Sequence, residues 1–121
     1  MKYQAVGVAM VVLALGSNAA PGVAQDSNGN ARRGAKLTAS LGCGACHSIP
    51  GISGARGLVG PPLDNIGART IIAGLLPNTP ENLARWIEAP QSVVPGNAMP
   101  NMGLNVRDAA DIAAYLDTLR N

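Results

Sequence analysis

At 121 residues with a formal charge of +2, the chain holds one small domain and carries no basic tract of the kind that engages nucleic acid. Only 2% of its residues are aromatic and none is Phe, so its side chains alone would build a thin core. Such a composition calls for a further apolar body at the centre of the domain.

Lys2 is the only charge before Asp26, and an apolar run from Ala5 to Leu15 follows it. Gly16 to Ala24 is small and turn-forming, and Gly22-Val23-Ala24 fits a small-x-small cleavage site. Residues 1–24 therefore read as an export signal, with the mature chain starting at Gln25. The strict apolar run is shorter than the roughly 20 residues that cross a bilayer. Ala5 to Ala24 nevertheless carries no charge, which leaves an uncleaved membrane anchor as the competing reading. Residues 25–30 are polar and read as a flexible tether, and the domain proper spans 31–121.

Ala31 to Leu41 reads as the first helix, stopped by Gly42, with Ala35, Leu37 and Leu41 as its apolar side. Arg32 and Arg33 near its start oppose the helix dipole, so fraying is expected there. Next comes Cys43-Gly44-Ala45-Cys46-His47, which holds both cysteines and the sole histidine of the chain. On a helical turn, positions i, i+3 and i+4 share one face, so two sulfurs and an imidazole can meet one planar ligand. C-x-x-C-H is the attachment motif of haem c: each thiol adds across a vinyl group, and the imidazole binds the iron. Zinc would need further Cys or His ligands, a thioredoxin-type pair would need a βαβ context, and a plain disulfide would leave His47 without a role. One haem c, covalent through Cys43 and Cys46, is the expected cofactor, and it supplies the missing centre of the core.

Ile49 to Pro62 is rich in Gly and Pro and reads as a functional loop draped along one haem edge. Leu63 to Gly74 has room for one short helical turn. Thr79-Pro80-Glu81 opens a helix that runs to about Glu88 and stops before Pro90, carrying Leu83, Trp86 and Ile87 at helical spacing. Gln91 to Gly103 is again a loop, with two methionines. Asn105 caps the last helix, with Asp108 as a capping-box analogue. Ala109, Ile112, Ala113, Leu116 and Leu119 form its apolar stripe, and Asp108, Asp111 and Asp117 lie off it. Nothing reads as a β-sheet.

An electron-transfer haem usually has two axial ligands. His47 supplies one; without a second His, the other is Met, a weaker donor or water. Thioether sulfur is a soft ligand that favours reduced iron. Met99, held in Pro95-Gly96-Asn97-Ala98-Met99-Pro100, is the preferred second ligand and Met102 the alternative, against the ordinary use of Met as a core filler. The expected metal ligands are thus His47 and Met99.

These features resemble a small class I cytochrome c, the single-haem His/Met family, over about Ala31 to Arg120. Gly60-Pro61-Pro62-Leu63-Asp64-Asn65-Ile66-Gly67-Ala68-Arg69 resembles that family's G-P-x-L…G-x-x-R stretch. The resemblance implies an all-α cytochrome c fold, three to four helices and Gly/Pro-rich loops wrapped around one haem. It implies that the Pro61 carbonyl accepts the His47 ring N–H, fixing the imidazole and raising its basicity. It also implies that Arg69 pairs with a haem propionate, against the plain reading of Arg69 as a solvated surface charge. Trp86 is either a core aromatic, the favoured reading, or a propionate donor through its indole N–H. Gly34 and Tyr115 resemble the family's close contact between first and last helices, while Leu37 stands where many members carry an aromatic. Haem attachment in this family takes place outside the bacterial cytoplasmic membrane, which implies a periplasmic protein or one anchored to the outer side of that membrane.

The function so implied is one-electron transfer in a respiratory chain, without catalysis: the carboxylates are scattered and the sole His is committed. The expected protein is a monomer. It takes electrons from a donor such as a quinol-oxidising complex and gives them to an acceptor such as a terminal oxidase. Its expected docking surface takes in Ala45, Ile49 and Ala98 to Met102, apolar and lightly charged. The alternative is a haem c subunit of a membrane redox complex such as a terminal oxidase. It is raised because Leu76-Pro77-Asn78-Thr79-Pro80-Glu81-Asn82-Leu83 and Trp86-Ile87-Glu88-Ala89-Pro90-Gln91 resemble cytochrome domains linked to bacterial terminal oxidases. A third reading, an open-site gas sensor or peroxidase-like haem protein, requires that no Met ligates.

Overall fold

The computed structural model describes residues 29–121; the expected signal segment, and the tether up to residue 28, lie outside the described residues. Four helices carry the fold: α1 (Ala31–Ser40), α2 (Pro80–Glu88), α3 (Pro90–Val93) and α4 (Val106–Asp117). Between them run loops with two 3-10 turns, Cys43–Ala45 and Ile66–Ala68. The mostly helical architecture is the one expected. It gains one element that was not: a two-residue antiparallel ladder, β1 (Ile71–Ile72) with β2 (Leu76–Pro77), in the register Ile71 to Pro77 and Ile72 to Leu76. Its turn puts Ala73 at φ 52° and Gly74 at φ 74°. Ala-Gly is not the Asn-Gly or Asp-Gly pair that advertises such a turn, and two-residue strands show no alternation to read.

The helix boundaries follow from local chemistry. Gly42, at φ 75°, takes the left-handed conformation that ends α1. Thr79 accepts from the Asn82 N–H at 3.2 Å to cap α2, with Pro80 in its first turn, and Asn105 accepts from the Asp108 N–H at 2.8 Å to cap α4. The Asp108 carboxylate in turn accepts from the Asn105 side-chain amide at 3.1 Å, rather than from the Asn105 backbone N–H. A further short helix, α3, occupies the start of the expected 91–103 loop, with Pro90 at its first position.

α4 packs against both α1 and α2. Its stripe of Ala109, Ile112, Ala113 and Leu116 is buried, as expected, against Leu83 and Ile87 of α2 and the core residues Ile49, Leu63, Ile66 and Ile72, while Leu119, also expected in the stripe, lies beyond the end of α4 and is only partly buried. On the α1 side Gly34 makes the close approach expected of it, whereas the expected apolar side of Ala35, Leu37 and Leu41 is not the buried one. Gly34 and Thr38 are the buried positions of α1, and Leu37 and Leu41 are only partly covered. A Cβ at Gly34 would lie 1.8 Å from the Asp111 carbonyl oxygen, so the two backbones touch with no side chain between them. Thr38 is polar but satisfied, since its hydroxyl donates to the Gly34 carbonyl at 2.8 Å.

The charges at this crossing correct one expectation and show where a carboxylate off the apolar stripe goes. Asp111 does not face solvent: it is 3% exposed, and its carboxylate accepts from the Asn30 backbone N–H at 2.7 Å and from the Arg33 guanidinium. Arg33 also pairs with Asp108, and Asn30 caps α1 by accepting the Arg33 N–H at 2.9 Å. The start of α1 is therefore pinned to α4 instead of frayed, because Arg33, one of the two cations that oppose its dipole, finds carboxylates on the neighbouring helix.

Burial pushes the Asp111 carboxyl up, but the hydrogen bonds from Arg33 and Asn30 and the nearby charges of Arg33 and Arg107 outweigh it, and the group titrates below its ordinary value. The stability it contributes is present above the unfolded value near 3.9 and is lost as pH falls through the lower folded value. Asp111→Asn is expected to cost about 2 kcal/mol at neutral pH, with the gap to wild type closing as pH falls below about 4 in urea unfolding of the haem-loaded protein. Gly34→Ala is expected to cost about 1–3 kcal/mol in the same experiment at every pH, because the helices must part to admit the methyl group.

Candidate functional site

The site begins where α1 ends. Beyond Gly42 the chain tightens into a 3-10 turn, and the Cys46 and His47 N–H groups converge on the Cys43 carbonyl at 3.2 and 3.0 Å. This winding brings Cys43, Cys46 and His47 to the wall of one cavity. Cys43 and Cys46 are not bonded to each other, and burial pushes the Cys43 thiol up.

The Gly/Pro-rich loop that follows is bonded back onto this turn. The Gly57 N–H donates to the Gly44 carbonyl at 3.0 Å, Gly60 to Cys46 at 2.7 Å, and Leu63 to Ser48 at 2.9 Å. Gly60 lies directly against the imidazole: a Cβ there would sit 2.2 Å from His47 Cε1. The His47 Nδ1 is 2.8 Å from the Pro61 carbonyl oxygen. A carbonyl only accepts, so Nδ1 carries the proton and Nε2 keeps its lone pair for a metal.

The cavity measures about 660 Å³, within the range of small-molecule and cofactor pockets, and is lined mainly by apolar groups. Thr38 from α1, Leu83, Trp86 and Ile87 from α2, and Ile112 and Leu116 from α4 face it, as do Ile71 to Gly74 of the small hairpin. Met99 and Met102 both line it, from the loop between α3 and α4. Arg69 lines it too, with its guanidinium donating to the Pro62 carbonyl. Trp86 is half-buried, packs against the core, and donates its indole N–H to no acceptor among the described residues. Tyr115 ties α4 to the loop after the motif, its hydroxyl donating to the Pro50 carbonyl at 3.2 Å.

Ile49 is not part of any docking surface. It is 3% exposed and belongs to the core, because its N–H bonds to the Ala55 carbonyl and folds the loop over its side chain. Val59, Ile71 and Met102 line the cavity and also face solvent, and Leu58 beside Val59 is more exposed still. Reading the sequence also missed Gln91 and Asn97, whose side-chain amides hold the Met99 loop; the cluster of amides around a loop methionine was the available signal.

The sequence profile of the cytochrome c family matches residues 31–120. The chain belongs to the cytochrome c family. This cytochrome is 37% identical over 91 residues to a cytochrome c oxidase subunit 2 of Alkalihalophilus pseudofirmus, a match that covers 74% of the chain and 26% of that protein. It is 31% identical over 87 residues to a cytochrome c oxidase subunit 2 of Bacillus subtilis, covering 70% of the chain and 24% of that protein. The chain thus spans about a quarter of the length of these curated relatives.

Haem c, the cofactor of this family, fits the residues present. Two thiols and an imidazole with a free Nε2 share the wall of an apolar cavity, and Gly60 leaves the ring a flat bed that a Cβ would fill. The cytochrome is therefore a haem c-binding electron-transfer domain. Gly60→Ala is expected to push the imidazole off the Pro61 carbonyl, at a cost of about 1–3 kcal/mol, and to perturb the haem absorption bands while leaving the covalent attachment intact. Absorption spectra and unfolding of the purified variant check both.

Proposed function

We propose that this cytochrome is the haem c module of a terminal oxidase, passing single electrons onward from the outer side of the cytoplasmic membrane. The observation that carries this reading is the 37% identity, over about three quarters of the chain, to a cytochrome c oxidase subunit 2. That similarity supports the oxidase-linked reading over a freely diffusing carrier. Among the described residues no helix is long and apolar enough to cross a membrane, and the uncharged stretch within residues 1–24 is a candidate for attachment to it.

In this reading Cys43 and Cys46 would hold the haem covalently, and His47 and Met99 would bind its iron. When bound, the haem supplies a one-electron couple of ferrous and ferric iron. The chain's own residues tune that couple. Pro61 fixes the His47 tautomer and raises its basicity. The apolar walls from α2 and α4 exclude water. Trp86 would close one wall as a packed aromatic, and Arg69, which lines the cavity and donates to the Pro62 carbonyl, would pair with a propionate.

The test is to tag the chain in its native membrane, recover it without harsh detergent, and ask whether a haem–copper oxidase accompanies it and reoxidises its haem. Recovery as a soluble monomer that the oxidase does not oxidise would return the protein to the free-carrier reading. Met99→Ala is expected to keep the haem attached, lower the potential, and abolish the far-red ferric band of Met coordination; survival of that band would move the ligand to Met102. The rim exposes apolar groups such as Leu58, Val59 and Met102 and few charges. Electron transfer to the oxidase is thus expected to change by less than about threefold between about 20 and about 200 mM salt, measured by stopped flow.

A further inference from the structure

Side-chain amides tie α3 to the loop that carries Met99. Gln91 Nε2 donates to the Asn97 and Met99 carbonyl oxygens, both at 2.8 Å, and Gln91 Oε1 accepts the Gly96 N–H at 3.0 Å. Asn97 completes the ring. Its Oδ1 accepts the Met99 N–H at 2.7 Å, and its Nδ2 donates to the Val94 and Pro90 carbonyls at 2.6 and 3.1 Å. Asn101 then accepts the Gln91 N–H through Oδ1 at 3.2 Å.

Both main-chain polar groups of Met99 are therefore held by side chains. The backbone of Met102 receives no such bond among the described residues, and its side chain is 39% exposed. The two sulfurs belong to one cavity wall, but only one hangs from a fixed backbone. α3 is four residues long and cannot supply that rigidity by itself. The requirement on residue 91 is specific: two donors on one nitrogen meet two carbonyls, while the acceptor of the same group meets an N–H.

We propose that Gln91 is the positioning residue for Met99, holding loop 96–99 closed so that the thioether stays on the haem iron. This rests on the reading of Met99 as the axial ligand. Gln91 touches neither iron nor haem in this role; it acts through the backbone of the ligand.

The experiment uses the full haem-loaded chain. Gln91→Leu keeps the size and removes the side-chain bonds. Gln91→Glu keeps the shape and the acceptor for Gly96 but turns a carboxylate oxygen toward two carbonyls. Both variants are expected to retain covalent haem and to weaken the far-red ferric band. Both are expected to bind carbon monoxide on the ferrous iron roughly tenfold faster than wild type, about the effect of losing one to two neutral hydrogen bonds on the open population. A merely structural Gln91 would lower unfolding stability but leave the band and the carbon monoxide rate within about twofold of wild type, which overturns the proposal.

Should neither variant fold, hydrogen exchange on the wild-type protein decides. Slow exchange of the Gly96 and Met99 amides relative to that of Met102 supports the clamp, and equal exchange sinks it. A wild-type spectrum without the far-red band, or a band that survives in Met99→Ala, marks failure of the ligand reading and takes the positioning role with it. A band lost in Met99→Ala yet intact in both Gln91 variants overturns the positioning role alone.

Discussion

The crossing of α1 and α4 sets the dimensions of everything built on it. At Gly34 the backbones of the two helices meet with no side chain between them, and Arg33, Asp108, Asp111 and Asn30 lock the angle from one side. From that point α1 runs on through Thr38 to the cysteine turn, while α4 runs on through Ile112 and Leu116. All three of those side chains face the cavity. The separation between the haem-attachment turn and the opposing helix is thus fixed by a contact outside the site. An ion-paired polar lock is a suitable device in a chain with so few aromatics, since it orients helices without demanding large apolar surfaces.

The Gly/Pro-rich segment does the complementary work on the other side. It has almost no regular structure, yet its N–H groups find acceptors on the cysteine turn, and it presents one carbonyl to the imidazole. Pro removes donors that would have gone unpaired, and Gly lets the backbone lie flat on the ring. The loop serves as a wall of the site.

Much of this was legible in the sequence because it is local. The pentapeptide, the Gly42 stop, the Thr79-Pro80 and Asn105 helix starts and the α4 stripe each depend on a few neighbouring residues, and each stands where it was read. What could not be read depends on pairing across the fold. Asp111 reads as an outward charge until Arg33 is placed opposite it, and Ile49 reads as a loop residue until the Ala55 carbonyl folds the chain over it. The Asn30 cap is local and was overlooked because the residues before it look like a tether. The Ala73-Gly74 turn was hidden by an Ala in a left-handed conformation, one that L-residues other than Asn and Asp seldom adopt.

The partner of the imidazole is a main-chain carbonyl, and this affects how the site can vary over time. An acceptor carried by a side chain can be deleted by a single codon change. The oxygen of residue 61 belongs to the peptide unit and survives any change of side chain. It is lost only if the path of the loop changes, and that path is held at several points by Gly57, Gly60 and Leu63. The electronic character of the histidine is thereby buffered against point mutation, so drift among such proteins should fall on the rim and on the methionine loop rather than on the proximal side.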